Sequence, residues 1–238
     1  MENTLDILLQ YTKRNKIKLK GYLKSDVEEQ NYKALVYVIY AINNFGNNAK
    51  LRKKIKNLVS KRSANKNDIK RNYHNQLAEF HALYILTKRM GYNFVDFDVE
   101  SNKTYANANT NCDLLIEKDG HKSFVEVKDC SGEIISTYSD GNYEHFTPMI
   151  PEVLGQWIKL QIKKADKKGA DFLVIRVPVW LNEHSSNLTE LIDKFFGEIS
   201  KDIHQKNGKY YWNIKETKIT KLILVHDRNL YGVIEVIK

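Results

Sequence analysis

The strongest structural signal in this chain lies at residues 111–128, which read NCDLLIEKDGHKSFVEVK. Two segments of alternating apolar residues, 112–117 and 122–128, flank the dipeptide Asp119-Gly120. An Asp-Gly pair in this position is typical of the tight turn of a β-hairpin, because both residues tolerate a positive φ angle. The stretch therefore predicts two antiparallel strands joined by a short turn.

Charged side chains occupy defined positions on this hairpin. Successive side chains of a strand point to opposite faces, so Glu126 and Lys128 share a face while Val125 and Val127 pack into the core. Antiparallel pairing can bring Asp113, at the start of the first strand, beside Glu126. Two carboxylates and an ammonium at one place suit Mg²⁺ or Mn²⁺, which prefer oxygen ligands. The alternative is an exposed hairpin that happens to carry charges, and the apolar neighbours of Glu126 argue against it.

The chain on both sides of the hairpin alternates between helical and strand patterns from residue 71 onward. Helices are predicted at residues 73–90, 151–168 and 188–206, and strands at residues 92–99, 172–177, 221–226 and 231–237. Gly91 follows the first of these helices and Pro151 begins the second, as helix boundaries favour. This order predicts an α/β domain with a mixed sheet at residues 71–238.

Residues 1–70 instead predict a helical and basic N-terminal region, with a soft boundary near residue 70. Ten Lys or Arg residues lie between residues 50 and 71, against the single acid Asp68. Four lysines could follow one helical face and lie along a nucleic-acid phosphate backbone, namely Lys50, Lys53, Lys54 and Lys61. The alternative is a solvated basic connector without a partner.

The composition of the whole chain narrows the class of protein. A net charge of +9 over 238 residues favours nucleic acid as the partner, although a basic surface without a partner is the alternative. The two cysteines, Cys112 and Cys130, form no CxxC motif, which argues against a zinc module and a disulfide framework. No signal peptide and no membrane-spanning apolar run are evident, so we expect an intracellular, cytoplasmic protein without a membrane partner.

Asp113 followed by Glu126-Val127-Lys128 resembles the signature of the PD-(D/E)xK superfamily of nucleases. The resemblance covers residues 71–238 in the order helix, strand, hairpin, helix, strand, helix. Cys112 stands where the proline that names the motif would be, at a position that varies within the superfamily. The resemblance implies a restriction-endonuclease-like core, with a mixed central sheet flanked by helices, and a Mg²⁺- or Mn²⁺-dependent endonuclease that cuts DNA in restriction, defence or repair.

The same resemblance implies roles for individual residues. Asp113 and Glu126 would hold the metal, helped by the backbone carbonyl of Val127, and Lys128 would orient or activate the attacking water. Glu79 lies on the apolar stripe of the helix at residues 73–90, where a carboxylate needs a partner, and superfamily members often place a metal-contacting acid there. The alternative is a glutamate at the margin of the stripe that reaches solvent.

Gln161 is the last candidate, on the helix at residues 151–168. It lies at the edge of the buried stripe, where some superfamily members use a glutamine or lysine to contact the phosphate or the catalytic lysine. The alternative is an ordinary polar margin. DNA is the expected partner and RNA the second choice, and a homodimer is a possible arrangement because a double-strand cutter needs two sites. A non-catalytic nucleic-acid-binding module, or an RNase or toxin using the same site, remain the alternative functions.

Overall fold

The N-terminal part of the chain is helical in the computed structural model, which describes residues 4–29, 32–59, 66–101, 111–130, 150–177, 187–226 and 229–237. Five helices come first: α1 (Thr4–Arg14), α2 (Gly21–Glu28), α3 (Tyr32–Phe45), α4 (Ala49–Val59) and α5 (Lys66–Tyr84), with a π-helical turn at Ile85–Arg89. Across the described ranges, no helix combines the length and the apolar character that crossing a bilayer requires.

Strands dominate the rest of the chain. The first part contains β1 (Asn93–Glu100), β2 (Asn111–Lys118), β3 (His121–Asp129), α6 (Ile150–Lys167) and β4 (Phe172–Arg176). The second part contains α7 (Leu188–Phe195), a 3₁₀ helix (Gly197–Asp202), β5 (Ile203–Lys206), β6 (Lys209–Asn213), β7 (Lys221–His226) and β8 (Asn229–Ile237). The predicted helices and strands from residue 73 to residue 177 are confirmed within a few residues, except that the first helix begins earlier.

The eight strands form one mixed sheet in the order β1-β2-β3-β4-β7-β8-β6-β5. The pairs β1–β2 and β2–β3 are antiparallel, whereas β3–β4 and β4–β7 are parallel. The parallel step from β3 to β4 needs a crossover, and α6 provides it. The chain therefore has the predicted α/β class, with helices on both faces of a mixed sheet.

Each face of the sheet has its own apolar core. The N-terminal helices pack with α5 against one face, which contributes Val125, Val127 and Val174. The other face, which includes Leu173 and Ile175, packs against α6 and α7. The predicted boundary near residue 70 falls within α5, and the N-terminal helices share one core with the sheet.

Two tight turns explain where the sequence prediction succeeded and where it was wrong. Asp119 and Gly120 both have positive φ angles, 52° and 77°, as the predicted hairpin turn requires. Asn207 and Gly208 form a second such turn, with φ angles of 51° and 74°, between β5 and β6. The predicted helix at residues 188–206 is divided into α7 and the 3₁₀ helix that begins at Gly197, and it is wrong at residues 203–206, which form a strand.

Candidate active site

The β2–β3 hairpin places Asp113 against the middle of the Glu126-Val127-Lys128 stretch. The peptide N–H of Val127 donates to Asp113 Oδ2 at 2.7 Å. The side chain of Asp113 is therefore held between the two strands by a backbone group. Val125 and Val127 are buried in the core, as strand alternation predicts. The predicted convergence of Asp113 with this part of β3 is thus present in the structure.

Glu126 is the most deeply buried acid of the site, with none of its surface exposed. Its Oε1 accepts from Lys128 Nζ at 2.5 Å and from Lys168 Nζ at 2.6 Å. Its Oε2 is also buried but has no hydrogen-bond partner among the described residues. The two lysine side chains are 28% and 27% exposed, so solvent reaches them. We call Glu126, Lys128 and Lys168 the open cluster.

A second group of charges lies on the other side of Asp113. Lys54 on α4 donates to Glu79 on α5 and, at 2.7 Å, to Asp98 Oδ1 on β1. Only 3% of the Lys54 side chain is exposed. Gln76 Nε2 donates to Glu79 Oε1 at 3.0 Å, so both oxygens of this carboxylate have partners. We call Lys54, Glu79 and Asp98 the closed cluster.

Asp113 joins the two clusters. One carboxylate oxygen from each of Glu79, Asp98 and Asp113 lies within 4.8 Å of the others, an arrangement that could hold a metal ion. Burial, followed by the charge of Glu126, raises the pKa of Asp113 to about 6. Burial, followed by the charge of Asp113, raises the pKa of Glu79 to about 8, although Lys54 acts in the opposite direction. Both shifts are those expected of buried carboxyl groups that lie close to one another.

Asp98 belongs to this site, and the sequence analysis did not find it. The pairing of Phe97 with Leu114 and of Val99 with Cys112 places Asp98 opposite Asp113. Its φ angle is +46°, a left-handed conformation that is uncommon for a residue with a side chain. Such strained conformations cost about 1–3 kcal/mol and concentrate at functional sites. Only the register of the β1–β2 pair reveals Asp98, and the sequence does not give that register.

Lys168 was also missed, although the sequence contained a signal. It follows Ala165 by three positions and therefore continues the apolar stripe of α6 towards the site. Its carbonyl accepts from Ser101 Oγ at 2.6 Å and from Cys112 Sγ at 3.6 Å. Its ammonium also donates to the carbonyl of Asn111 at 3.3 Å. These contacts fix the end of the helix beside Glu126, and they give Cys112 a packing role at the position of the motif's proline.

The four lysines predicted to contact phosphates separate into different environments. Lys54 is buried in the closed cluster, and Lys50 donates to Asp96 Oδ2 and to the carbonyl of Phe97, both at 2.7 Å. The prediction is wrong for Lys54, because two carboxylates hold its ammonium inside the protein. Lys50 ties α4 to β1 instead of projecting freely. Lys53 is exposed, and its contact with a phosphate stays a prediction; Lys61 lies outside the described residues.

The remaining predicted residues are Gln161 and Val127. Gln161 is 2% exposed on α6, and its Nε2 has no hydrogen-bond partner in the described part of the chain. Its predicted contact with a phosphate or with Lys128 stays a prediction. The backbone of Val127 adjoins Asp113 through its N–H, which places the predicted carbonyl ligand on the same short piece of β3.

The donor set fits a hard divalent cation. Glu126 offers a buried carboxylate oxygen that lacks a partner among the described residues, and Asp113 lies beside the same stretch of β3. An unpaired buried carboxylate oxygen is costly unless a cation or a hydrogen bond satisfies it. Comparisons of this chain with protein-family models, with characterised proteins and with solved structures give no match. The function is therefore inferred from the geometry of these residues.

Proposed function

We propose that the protein is a Mg²⁺- or Mn²⁺-dependent nuclease that hydrolyses phosphodiester bonds in DNA. The observation that carries the proposal is the Glu126 carboxylate. It is fully buried, bonded through one oxygen to two partly exposed ammonium groups, and unpaired at the other oxygen among the described residues. An arrangement of this kind supplies both a ligand for a divalent cation and positive charge for a phosphate.

Asp113 and Glu126 would hold the metal, with the carbonyl of Val127 as a backbone ligand and with Glu79 and Asp98 on the other side of Asp113. When bound, a divalent metal would supply Lewis-acid stabilisation of the negative charge that develops on the phosphate during hydrolysis. The residues of this chain would fix where that charge develops. Glu126 and Asp113 are held by hydrogen bonds from Lys128 and from the Val127 N–H, so they need little rearrangement.

Lys128 would act through its positive charge. Burial alone would lower the pKa of this lysine, but the carboxylates of Glu126 and Asp113 raise its pKa overall. Lys128 is therefore protonated at neutral pH, so it would orient the attacking water and offset phosphate charge as a donor. Lys168 would support it, because both ammonium groups bind the same oxygen of Glu126. Neither lysine is proposed as the general base.

The order of elements supports a restriction-endonuclease-like core. Helix α5 carries Glu79 and is followed by β1, by the β2–β3 hairpin with Asp113, Glu126 and Lys128, by α6 and by β4. This is the order that the sequence resemblance implies for residues 71–238. The positive net charge of the chain, +9, further favours a polyanionic substrate over a neutral or acidic small molecule.

A cleavage panel tests the proposal. Supercoiled, linear and single-stranded DNA and RNA would be incubated with the protein in Mg²⁺, in Mn²⁺ and in EDTA. We expect metal-dependent cutting of DNA that the Glu126→Gln variant lacks. Supercoiled plasmid converted to nicked or linear circles would identify an endonuclease. Cutting that persists in EDTA, or that Glu126→Gln leaves unchanged, would contradict the proposal, and tight binding without cutting would favour the non-catalytic module.

A further inference from the structure

An open groove lies on the N-terminal helical side of the molecule, away from the two charged clusters. It is formed by α1, by the connection between α3 and α4, by α4 and by the beginning of β1, and its volume is about 1180 Å³. This volume is somewhat larger than the roughly 300–1,000 Å³ that is typical of clefts for small molecules, so the groove has room for a substantial ligand. The groove plays no part in the metal site described above.

The walls of the groove carry positive charge without any compensating acid. Arg14, Arg52, Lys53 and Lys56 line it and are exposed, and no Asp or Glu occurs among its described lining residues. Asparagine side chains and the aromatic residues Phe45 and Phe94 complete the lining. Cations together with amides and aromatic rings are the side chains that contact phosphates, sugars and bases in nucleic-acid complexes.

Tyr11 provides an independent sign that the groove takes a ligand. The residue is only 9% exposed, lines the groove, and its hydroxyl has no hydrogen-bond partner among the described residues. A buried hydroxyl without a partner is uncommon because leaving it unsatisfied costs free energy. A phosphate oxygen that reached this hydroxyl would accept a hydrogen bond from it.

The groove and the active site share two structural elements. On α4, Lys54 points into the closed cluster, whereas Arg52, Lys53 and Lys56 are exposed and line the groove. On β1, Phe94 and Val95 line the groove and Asp98 belongs to the closed cluster, about 10 Å further along a strand that rises about 3.3 Å per residue. A polymer bound in the groove could therefore extend along β1 towards the active site.

We infer that this groove binds the phosphodiester backbone of a nucleic-acid strand and guides it towards the active site. This inference rests on the proposed function, which identifies nucleic acid as the substrate, and it adds the surface that binds this substrate. The contacts are to phosphates, so they position the strand without reading its sequence. Single-stranded DNA and either strand of a duplex present the same phosphate groups. The binding experiment distinguishes these two forms of the ligand.

Binding is measured by fluorescence anisotropy with labelled single-stranded and duplex DNA over a range of salt, without divalent metal so that no cutting occurs. The test variant replaces Arg14, Arg52, Lys53 and Lys56 by Gln. The matched control replaces four exposed lysines elsewhere by Gln, Lys163, Lys164, Lys206 and Lys209, which removes the same charge. Tyr11→Phe removes only the buried hydroxyl. Thermal unfolding shows whether each variant folds.

The test variant should weaken binding of all sequences alike. Its slope of log affinity against log salt should flatten by about 0.9 for each duplex phosphate that the variant no longer neutralises, or by about 0.7 for each phosphate of a single strand. The control should change the slope much less, and Tyr11→Phe should weaken binding by about tenfold or less. The DNA form whose binding weakens more identifies the natural occupant. Equal effects of test and control variants, or unchanged binding in the test variant, would overturn the inference.

Cleavage separates this inference from the proposed function. In a single-turnover reaction with Mg²⁺ at subsaturating protein, the test variant should cut more slowly than the wild type in proportion to its weaker binding, whereas the four-lysine control should cut at nearly the wild-type rate. Groove-dependent binding by a wild-type protein that never cuts would contradict the proposed function and support the groove. Metal-dependent cutting with groove-independent binding would support the function and overturn the groove.

Discussion

The closed and the open cluster both combine lysine with acidic side chains, yet they differ in which groups remain free to bind a ligand. In the closed cluster, the Lys54 ammonium is 3% exposed and binds two carboxylates, and Gln76 satisfies the remaining oxygen of Glu79. In the open cluster, two ammonium groups that are about a quarter exposed share one oxygen of Glu126, and the other oxygen has no partner within the described ranges.

This difference separates a structural role from a chemical one. A buried ion pair whose groups are all satisfied holds elements together, here α4, α5 and β1. A buried carboxylate with an unsatisfied oxygen beside solvent-reachable ammonium groups can still bind a cation and a phosphate. Asp113 lies between the two, so under the proposed function Lys54 would hold Glu79 and Asp98 at the far side of the metal site, while the open cluster would contact the substrate.

The largest expected effect comes from Glu126 in the open cluster and from Asp113 beside it. Asp113→Asn and Glu126→Gln are nearly isosteric but remove charge that a divalent metal requires, so the cleavage rate should fall by about a thousandfold or more. A plasmid-cutting assay measures this effect, and the exposed Glu216→Gln serves as the control. Rates within a few-fold of wild type for both variants would show that the chemistry lies elsewhere.

The closed cluster should dominate stability instead. Lys54→Met leaves two carboxylates without their buried counter-ion, which should lower the free energy of unfolding by about 3 kcal/mol or more. Lys50→Met on the same helix is the matched comparison, because its ion pair with Asp96 is about 40% exposed and should contribute about 1 kcal/mol or less. Chemical denaturation measures both values, and equal losses would remove the distinction between a closed and an exposed pair.

Lys128→Met should show the opposite behaviour to Lys54→Met. The variant keeps the aliphatic stem and loses the ammonium, so the cleavage rate should fall about a hundredfold while the fold persists. Lys168→Met should cost less, about tenfold, because Lys128 still binds Glu126. Single-turnover rates at saturating metal measure these effects. A normal rate with weakened metal binding in Lys128→Met would assign that lysine a purely structural role.

The smallest effect is the dependence of metal binding on pH. The pKa values of Asp113 and Glu79 are raised to about 6 and about 8, so the metal-free fold gains stability from their neutral forms at low pH and loses it as pH rises through these values. Metal binding requires the ionised forms, so Mg²⁺ should raise the unfolding temperature more at about pH 9 than at about pH 5. Equal shifts at both pH values would argue against these acids as ligands.

Much of the β2–β3 hairpin could be predicted because its signals are local. Strand alternation placed Glu126 and Lys128 on one face, and Asp119-Gly120 fixed the turn that returns the chain towards Asp113. Glu79 was found because an acid on an apolar helical stripe needs a partner. The same argument applies to Lys54, which lies between Leu51 and Leu58 at helical spacing. Lys54 was not distinguished from the other lysines around it.

The missed features depend on tertiary structure or on a competing local pattern. Asp98 joins the site only through the pairing of β1 with β2. The residues next to it in the sequence do not predict its left-handed backbone conformation. The β5–β6 hairpin was overlooked because an amphipathic helical pattern continued past Gly197, although Asn207-Gly208 was a strong turn signal. The end of α6 at Lys167 decides that the next residue, Lys168, reaches Glu126.

Mn²⁺ binding would show directly whether a divalent metal is held by Asp113 and by the Glu126 oxygen that has no partner among the described residues. The metal would be titrated into the metal-free chain and followed by calorimetry or by the loss of the free-ion electron paramagnetic resonance signal. We expect saturable Mn²⁺ binding that Mg²⁺ displaces. The Glu126→Gln variant should remain folded and should lose this binding. Binding as tight in Glu126→Gln as in the wild type, or no binding in either, would contradict it.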